Sequence, residues 1–326
     1  MPAPPAEIQT QYEALQSAVG IAPCKDRTQI ELTGKDRASF LHGFCTNDIK
    51  RLAPGQGCEA FLTDVQGKTI GFVNIFCELN RLVVETAPGQ AAHIIKSLER
   101  FLIREDVQLT DRTENWPELL VAGPAATRLI EQVFGATIRL EPRHHVRCQW
   151  QGQELAVRRV DYTGQPDFLI AIETSDWQAC WDAFRAAAAV PCCESAIEIA
   201  RIEAGTPNFA VDITDDNLPQ EVDRNATAIS FTKGCYLGQE TIARIDALGH
   251  VNRLLRGIHV VSNVIPPRGS EFLRDDRFVG RITSACWSYK LQAPLALAYV
   301  RREFSSPGSR LESPNGEAEV VALPLG

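Results

Sequence analysis

The residues best suited to chemistry lie in one stretch, Phe231 to Arg244, which reads F-T-K-G-C-Y-L-G-Q-E-T-I-A-R. Its single cysteine, Cys235, follows Lys233 by two residues. The helix-forming composition of 239–244 predicts that Cys235 lies on a turn at or just before a helix N-terminus. There the helix dipole and the lysine ammonium would both favour a reactive thiolate. The alternative is a small buried hydrophobic residue, the usual role of a free cysteine.

The neighbours of this cysteine are expected to shape the loop. Glycine adopts backbone conformations closed to other residues and lets a partner approach the chain closely. The residues expected to form the loop around Cys235 are Gly234, Tyr236, Gly238, Gln239 and Glu240.

Composition places the chain among ordinary globular proteins. It has 326 residues, 44% hydrophobic and 23% charged, and a net charge of −8. The length suggests two domains or three small ones, and the acidic balance argues against a nucleic-acid partner. No apolar run approaches the roughly 20 residues of a membrane span, and the N-terminus lacks signal-peptide character. We therefore expect a cytoplasmic protein with no membrane partner, and a monomer.

The ten cysteines are scattered, with no C-x-x-C pair and no histidine at metal-ligand spacing. In a reducing cytoplasm they should be free thiols. The adjacent Cys192 and Cys193 form a poor metal geometry and are expected to be structural. The sequence predicts no metal site.

Hydrophobic periodicity predicts alternating strands and helices up to about residue 205. Asp36 can cap a helix, Pro88 fits the first turn of another, and Gly205 can end a third. Aromatic residues at helical spacing in the segment 176–189 are expected to be core. Helices are predicted at 7–19, 36–44, 88–101, 124–134, 176–189 and 194–204. Strands are predicted at 28–32, 57–63, 69–76, 81–86, 105–110, 118–122 and 167–172, with a two-strand pattern in 146–172.

The pattern changes after Gly249. The long polar loop 205–230, which leads into the cysteine motif, has a length typical of functional or disordered loops. Beyond it, short strands separated by Pro, Gly and Ser predict a small antiparallel barrel. These strands are 253–261, 271–274, 277–284, 294–301 and 317–323. We therefore predict an α+β region of mixed or antiparallel sheets over residues 1–248, with two subdomains, and a C-terminal β-barrel over 249–326.

The string K-G-C-Y-L-G-Q-E resembles the signature of the YgfZ-type folate-binding proteins, relatives of the glycine-cleavage T-protein, an aminomethyltransferase. The similarity continues along nearly the whole chain in the same order. The further segments are F-L-H-G-F-C-T-N-D-I at 40–49, R-I-E-A-G at 201–205, G-R-I-T-S-A-C-W-S at 280–288 and L-A-L-A-Y-V-R-R-E at 295–303.

This resemblance implies α+β domains around a central channel, closed by the barrel. It also implies tetrahydrofolate, or a one-carbon derivative, as the cofactor. Glu203 would accept hydrogen bonds from the pterin edge, and Arg244 and Arg253 could pair with the carboxylates of the folate tail. Trp287 could stack on a planar ring. The alternatives are a surface glutamate, solvated arginines and a barrel-core tryptophan.

One departure from the family pattern bears on activity. Aminomethyltransferases carry an aspartate in the turn after the strand that corresponds to 81–86, and it assists one-carbon transfer. Here that turn runs from Glu85 to Gln90 and has no aspartate before Asp106. An enzyme relying on that charge would be badly disabled, so a classical aminomethyltransferase is not expected.

Three functions remain open. The first is a tetrahydrofolate-binding accessory protein that supports iron–sulfur cluster assembly or repair, as the resemblance implies. There Cys235 would form a transient mixed disulfide with, or contact, a client or assembly protein. The second is a folate-dependent one-carbon transferase or demethylase on an unidentified amine, with Glu203 or Asp48 as replacement acid. The third is a scaffold that kept the fold and lost the ligand.

Overall fold

The computed structural model describes residues 4–313 and 316–325. Its α-helices are α1 (Ala6–Ser17), α2 (Arg37–His42), α3 (Ala91–Glu99), α4 (Ala126–Phe134), α5 (Trp177–Ala186), α6 (Glu194–Ala204), α7 (Asn225–Ala228) and α8 (Gln239–Leu248). The first eleven strands are β1 (Gly20–Cys24), β2 (Thr28–Thr33), β3 (Gly57–Thr63), β4 (Thr69–Cys77), β5 (Leu82–Thr86), β6 (Gln108–Asp111), β7 (Glu118–Ala122), β8 (His145–Trp150), β9 (Gln153–Val160), β10 (Asp167–Ala171) and β11 (Val190–Pro191). The last six are β12 (Arg253–Val260), β13 (Glu271–Arg274), β14 (Arg277–Ser288), β15 (Ala293–Arg301), β16 (Arg310–Ser313) and β17 (Gly316–Val321).

These strands form two open sheets and a closed barrel. The first sheet has the order β3-β4-β5-β2-β6, and all its pairs are antiparallel. The second has the order β11-β1-β7-β10-β9-β8, and its β1–β11 pair is parallel. The barrel closes as β12-β15-β14-β13-β16-β17. The predicted α+β class with a C-terminal antiparallel barrel is confirmed.

The three sheets share one central core because strand side chains alternate between faces. In β7, Leu120 faces the central cluster, whereas Val121 packs on the outer helices α4 and α5. In β15, Leu297 faces the same central cluster and Ala298 fills the barrel interior. Each sheet therefore has an outer core of its own and contributes its other face to the common centre.

Several local predictions are confirmed. Gly205 ends α6 with a left-handed backbone (φ +73°). On α5, Trp177 and Phe184 are buried in the core as their spacing predicts, and Trp181 packs against them. All ten cysteines are free thiols.

Other local predictions are wrong. Asp36 precedes α2 but does not cap it, because its carboxylate instead accepts the backbone N–H of Asp106 (2.9 Å). The helix predicted to begin at Pro88 begins at Ala91. Strands β1, β11 and β16 were not predicted. Because β16 belongs to the barrel, the barrel has six strands where five were expected. The loop 205–230 also contains short helical turns, 219–222 and α7.

Candidate functional site

Cys235 stands on the segment between α7 and α8. We call residues 230–238 the cysteine loop. Cys235 is exposed, and α8 begins four residues later, after Gly238. The predicted position shortly before a helix is thus confirmed, although the turn itself covers residues 237–238, and the alternative of a buried hydrophobic cysteine is wrong.

The cysteine loop is fixed along its length by an N-terminal segment, residues 42–48, which we call the corner segment. The N–H of Ser230 donates to the carbonyl of Thr46 (2.9 Å), and the N–H of Leu237 donates to the carbonyl of Gly43 (2.9 Å). The hydroxyl of Thr46 in turn donates to the carbonyl of Ala228 (2.6 Å). The two quoted motifs, far apart in sequence, therefore form one structural unit.

Gly238 closes the cysteine loop against the β3–β4 hairpin. Its φ is +80°, and a Cβ added there would lie 2.4 Å from the carbonyl oxygen of Asp64 and 2.7 Å from the Cα of Gly67. Such approaches to backbone atoms cannot be relieved by side-chain rotation, so this position requires glycine.

Lys233 binds the corner segment. Its side chain is buried, and its ammonium donates to the carbonyl oxygens of His42 (2.6 Å), Cys45 (2.7 Å) and Asn47 (2.9 Å). An ammonium has three donors, so these bonds use all of them. The ammonium therefore cross-links the corner segment, and its predicted influence on the Cys235 thiol stays a prediction.

The buried thiol nearest to that ammonium is Cys45, whose Sγ lies 4.0 Å from Nζ. Burial raises the pKa of Cys45 to about 11 despite the lysine. Burial also lowers the pKa of Lys233. Both side chains therefore lie in the buried interior of the protein.

His42 borders the cysteine loop from below. It is 7% exposed, and its Nδ1 lies 3.3 Å from Oδ1 of Asp48. Its Nε2 lies 3.9 Å from where a Cβ on Gly234 would stand. Burial, then the charge of Lys233, lower its pKa. His42 lies in the segment 40–49, and no local sequence pattern shows that its side chain approaches Gly234, 192 residues later.

The other motif residues support the start of α8. The Oε1 of Gln239 accepts the N–H of Tyr236 (3.1 Å). Tyr236 is half-buried beneath Lys233, whose Nζ lies 4.7 Å from the ring centre, and burial raises its pKa to about 12. Glu240 is exposed.

Glu203, the predicted pterin ligand, is buried (2% exposed) and already has hydrogen-bond donors. Its Oε2 accepts the hydroxyl of Tyr12 (2.5 Å). Its Oε1 accepts the hydroxyl of Ser288 (2.6 Å) and the N–H of Lys290 (3.3 Å). The carboxylate thus ties α6 to α1 and to the end of β14.

The remaining predicted folate contacts lie elsewhere. Trp287 is half-buried and precedes Ser288 on β14, so alternation points it away from Glu203. Arg253 pairs with Glu221 (3.0 Å) and lines a basic groove of about 970 Å³ on the barrel flank. Arg244 is exposed on α8. The structure does not bring these residues together with Glu203.

A small cavity lies where β4 and β9 approach each other. Its volume is about 40 Å³, whereas pockets for drug-sized ligands span roughly 300–1,000 Å³. Its lining includes Phe72, Asn74, Tyr162 and Asn208. A pterin bound at Glu203 would have to displace the hydroxyl of Tyr12 or that of Ser288. The folate role of the predicted residues stays a prediction.

Glu85, the acidic residue nearest to the missing family aspartate, is fully buried in β5. Its carboxylate accepts hydrogen bonds from Arg27 (2.5 Å) and from Asn74 (2.8 Å). It is therefore a partner of two structural donors rather than an acid open to a substrate.

No helix in residues 4–313 and 316–325 is long and apolar enough to cross a membrane. Within the same ranges, no cluster of three or more His, Cys, Asp or Glu side chains could hold a metal ion.

Two sheets sharing a core with a closed six-stranded barrel define a T-protein-like α+β class. The chain belongs to the glycine cleavage T-protein family. The model of the GCVT N-terminal domain matches residues 5–233, and that of the glycine cleavage T-protein C-terminal barrel domain matches residues 253–325.

Individual relatives agree with this assignment at low identity. The chain is 26% identical to the aminomethyltransferase of Geobacillus kaustophilus, over 100% of this chain and 92% of that protein. It is 25% identical to the aminomethyltransferase of Bacillus subtilis, over 98% and 91%. The crystal structure of the glycine cleavage system aminomethyltransferase T from Bartonella henselae superposes with a TM-score of 0.88 at 17% identity, covering 99% of this chain and 90% of that one. That superposition shows the shared fold.

Proposed function

We propose that the chain is a tetrahydrofolate-binding accessory protein of the YgfZ type, which supports the assembly or repair of iron–sulfur enzymes through Cys235. The observation that carries this proposal is the exposed thiol on a loop whose ends are tied to a buried scaffold. A thiol that meets a client protein must be exposed, and a fixed loop presents it in one place.

The chain's other cysteines provide a contrast. Burial raises the pKa of Cys24 to about 12 and that of Cys180 to about 12. Such thiols are inert near neutral pH because the thiolate is the reactive form. Only Cys193 and Cys235 are exposed among the ten, and only Cys235 lies in the family-like motif.

The proposed chemistry needs no further oxidant. The Cys235 thiolate attacks one sulfur of a client disulfide, which forms a mixed disulfide and releases the other client sulfur as a thiolate. The same exposed sulfur can contact a cluster-bearing client directly. The partners are therefore iron–sulfur client or assembly proteins.

Tetrahydrofolate binding rests on the family resemblance. In the structure, this binding requires the Glu203 carboxylate to release the hydroxyls of Tyr12 and Ser288 and to accept hydrogen bonds from the pterin edge instead. Calorimetric titration of the reduced protein with tetrahydrofolate tests this. We expect micromolar binding that is lost in Glu203→Ala and kept in Glu194→Ala, an exposed glutamate at the start of the same helix. No binding by the wild type would remove folate from the proposal.

The thiol role is tested in a strain that lacks the gene for this chain. Wild type and Cys235→Ala would be compared by the activity of iron–sulfur enzymes, with Cys193→Ala as the matched exposed-cysteine control. We expect Cys235→Ala to restore no more activity than the empty vector and Cys193→Ala to restore wild-type activity. Full restoration by Cys235→Ala would end the thiol hypothesis.

A second candidate is a folate-dependent one-carbon transferase, which is favoured by the aminomethyltransferases similar to this chain over most of their length. Glu203 or Asp48 would have to replace the missing aspartate. Glu203 is engaged, whereas Asp48 is half-buried beside His42 and Arg51. Formation of methylene-tetrahydrofolate from any amine of a broad panel would support this candidate, and no turnover would argue against it.

A further inference from the structure

The imidazole of His42 lies beside one carboxylate, that of Asp48. Its Nδ1 and the Oδ1 of Asp48 lie 3.3 Å apart. Both atoms are buried, and neither has a hydrogen-bonding partner of ideal geometry within residues 4–313 and 316–325. Their contact is close but is not an aligned hydrogen bond, so Asp48 acts on the imidazole through its charge, which favours a proton on Nδ1. The lone pair of a neutral imidazole would then be on Nε2.

Nε2 faces the cysteine loop. It lies 3.9 Å from where a Cβ on Gly234 would stand, which is an ordinary van der Waals distance. Because Gly234 has no side chain, nothing from that residue covers the imidazole edge. The next residue is Cys235, whose exposed thiol makes no hydrogen bond to the described part of the chain. Its Cα lies about 3.8 Å from the Cα of Gly234, so the thiol belongs to the residue next to the uncovered imidazole edge.

The surroundings of His42 keep its imidazole neutral. Burial and the charges of Lys233 and Lys50 lower its pKa, whereas Asp48 raises it. Lys233 itself is occupied by backbone carbonyls, and Asp48 is shared with Arg51 (3.1 Å). The net lowering leaves the imidazole neutral at pH 7, and the nearby carboxylate can stabilise an imidazolium once it forms.

We propose that His42 accepts the proton of the Cys235 thiol and that Asp48 positions the imidazole, so that the three residues form a thiol-activating site. The S–H bond breaks, an N–H bond forms at Nε2, and a thiolate–imidazolium pair results. This inference rests on the proposed function, because it assigns the residues that activate its thiol. The site acts on electrophilic sulfur, such as a client disulfide.

The test is alkylation of the intact protein with iodoacetamide from pH 5.5 to 9, with rates read separately for the Cys235 and Cys193 peptides by mass spectrometry. Wild type, His42→Gln and Asp48→Asn would be compared. Cys193 is the internal control, since it is also exposed but lies at the start of α6. A thermal melt of each variant checks that the fold is intact.

We expect His42→Gln to slow Cys235 at least threefold at pH 7 and to leave Cys193 unchanged. A tenfold loss of thiolate lowers the rate only about threefold, because a more basic thiolate is also more nucleophilic. In the wild type the Cys235 rate should persist at pH 6.5, whereas in His42→Gln it should fall about tenfold per pH unit, as for an ordinary thiol. Asp48→Asn should give an intermediate rate.

An unchanged Cys235 rate and pH profile in folded His42→Gln would overturn the inference. If His42→Gln does not fold, an unchanged rate of Cys235 alkylation in Asp48→Asn would overturn the inference instead. These outcomes are separate from the proposed function. If the Cys235→Ala strain lacks client-enzyme activity but His42→Gln does not slow alkylation, the thiol role stands and the role of His42 is lost. If His42→Gln slows alkylation but the Cys235→Ala strain is fully active, His42 activates the thiol and the thiol has no role in client activity.

Discussion

The ammonium nitrogen of Lys233 lies 2.6 Å from the carbonyl oxygen of His42, 191 residues earlier in the chain. With two further carbonyls, of Cys45 and Asn47, this contact joins the two motifs that border the exposed cysteine. A lysine next to a reactive cysteine would ordinarily be assigned to the thiol. Here its ammonium binds three backbone carbonyls, and the proposed activation of the thiol is assigned to His42 instead.

Replacing Lys233 with methionine should therefore destabilise the fold. Three buried carbonyl oxygens would lose a charged donor, and each unsatisfied acceptor costs about 1–3 kcal/mol before relaxation. We expect the free energy of unfolding, measured in urea, to fall by about 3 kcal/mol. The control is Lys50→Met, an exposed lysine at the edge of the corner segment, which should change it by less than about 0.5 kcal/mol. Equal stability of the two variants would show that the cross-link contributes little.

The two glycines that bracket α8 provide a second prediction. Gly238 and Gly249 both have positive φ, +80° and +102°. A Cβ on Gly238 would meet the backbone of Asp64 at 2.4 Å, whereas one on Gly249 would meet nothing within 4 Å. Gly249→Ala should cost only the left-handed strain of about 1–2 kcal/mol, and Gly238→Ala clearly more. Unfolding free energies in urea compare the two, and equal losses would mean that the close approach is easily relieved.

Tyr12 and Tyr289 allow a matched test of the Glu203 site. Their rings pack 5.0 Å apart. The Tyr12 hydroxyl donates to Glu203, and burial with that bond raises its pKa far above the usual value, so it stays a donor. The buried Tyr289 hydroxyl has no partner within the described ranges. We expect Tyr12→Phe to lower the free energy of unfolding by about 2 kcal/mol and Tyr289→Phe to leave it nearly unchanged. A larger loss in Tyr289→Phe would contradict this assignment.

Much of the fold could be predicted because its signals are local. The barrel strands alternate faces and are punctuated by glycine and proline, and Gly205 ends a periodic helix. Strand β1 could not be predicted, because the segment Gly20–Cys24 is short, contains Pro23 and is ordered by pairing with β7 and β11. Its partners lie about a hundred or more residues away, where no local pattern reaches.

The site was predictable in part for the same reason. The glycines around Cys235 and the start of α8 indicate an accessible turn. The direction of the Lys233 side chain and the approach of His42 to Gly234 depend instead on how the corner segment packs against the cysteine loop. Sequence neighbours suggested a lysine–cysteine pair, whereas burial favoured the three carbonyls, because a desolvated ammonium must be fully hydrogen-bonded.

A last prediction concerns the dependence of stability on pH. His145 on β8 is 4% exposed and packs edge-on against Phe76 at 5.5 Å. Burial, and next the charge of Arg158, lower its pKa to about 4, against about 6.5 in an unfolded chain. Between these values the unfolded state binds one more proton, so stability falls as pH drops from 6.5 to 4.

His145→Gln removes this titration. The loss of stability between pH 7 and pH 4 should be smaller than in the wild type by roughly 3 kcal/mol, because each pKa unit corresponds to about 1.4 kcal/mol. Urea unfolding at several pH values measures the difference, and His93→Gln, at an exposed position on α3, is the control. The wild type and the variants are compared by the slope of the free energy of unfolding against pH, because the substitution at a buried site also shifts that free energy at every pH. Parallel curves for wild type and His145→Gln would mean that the buried imidazole gains access to solvent and charges without cost.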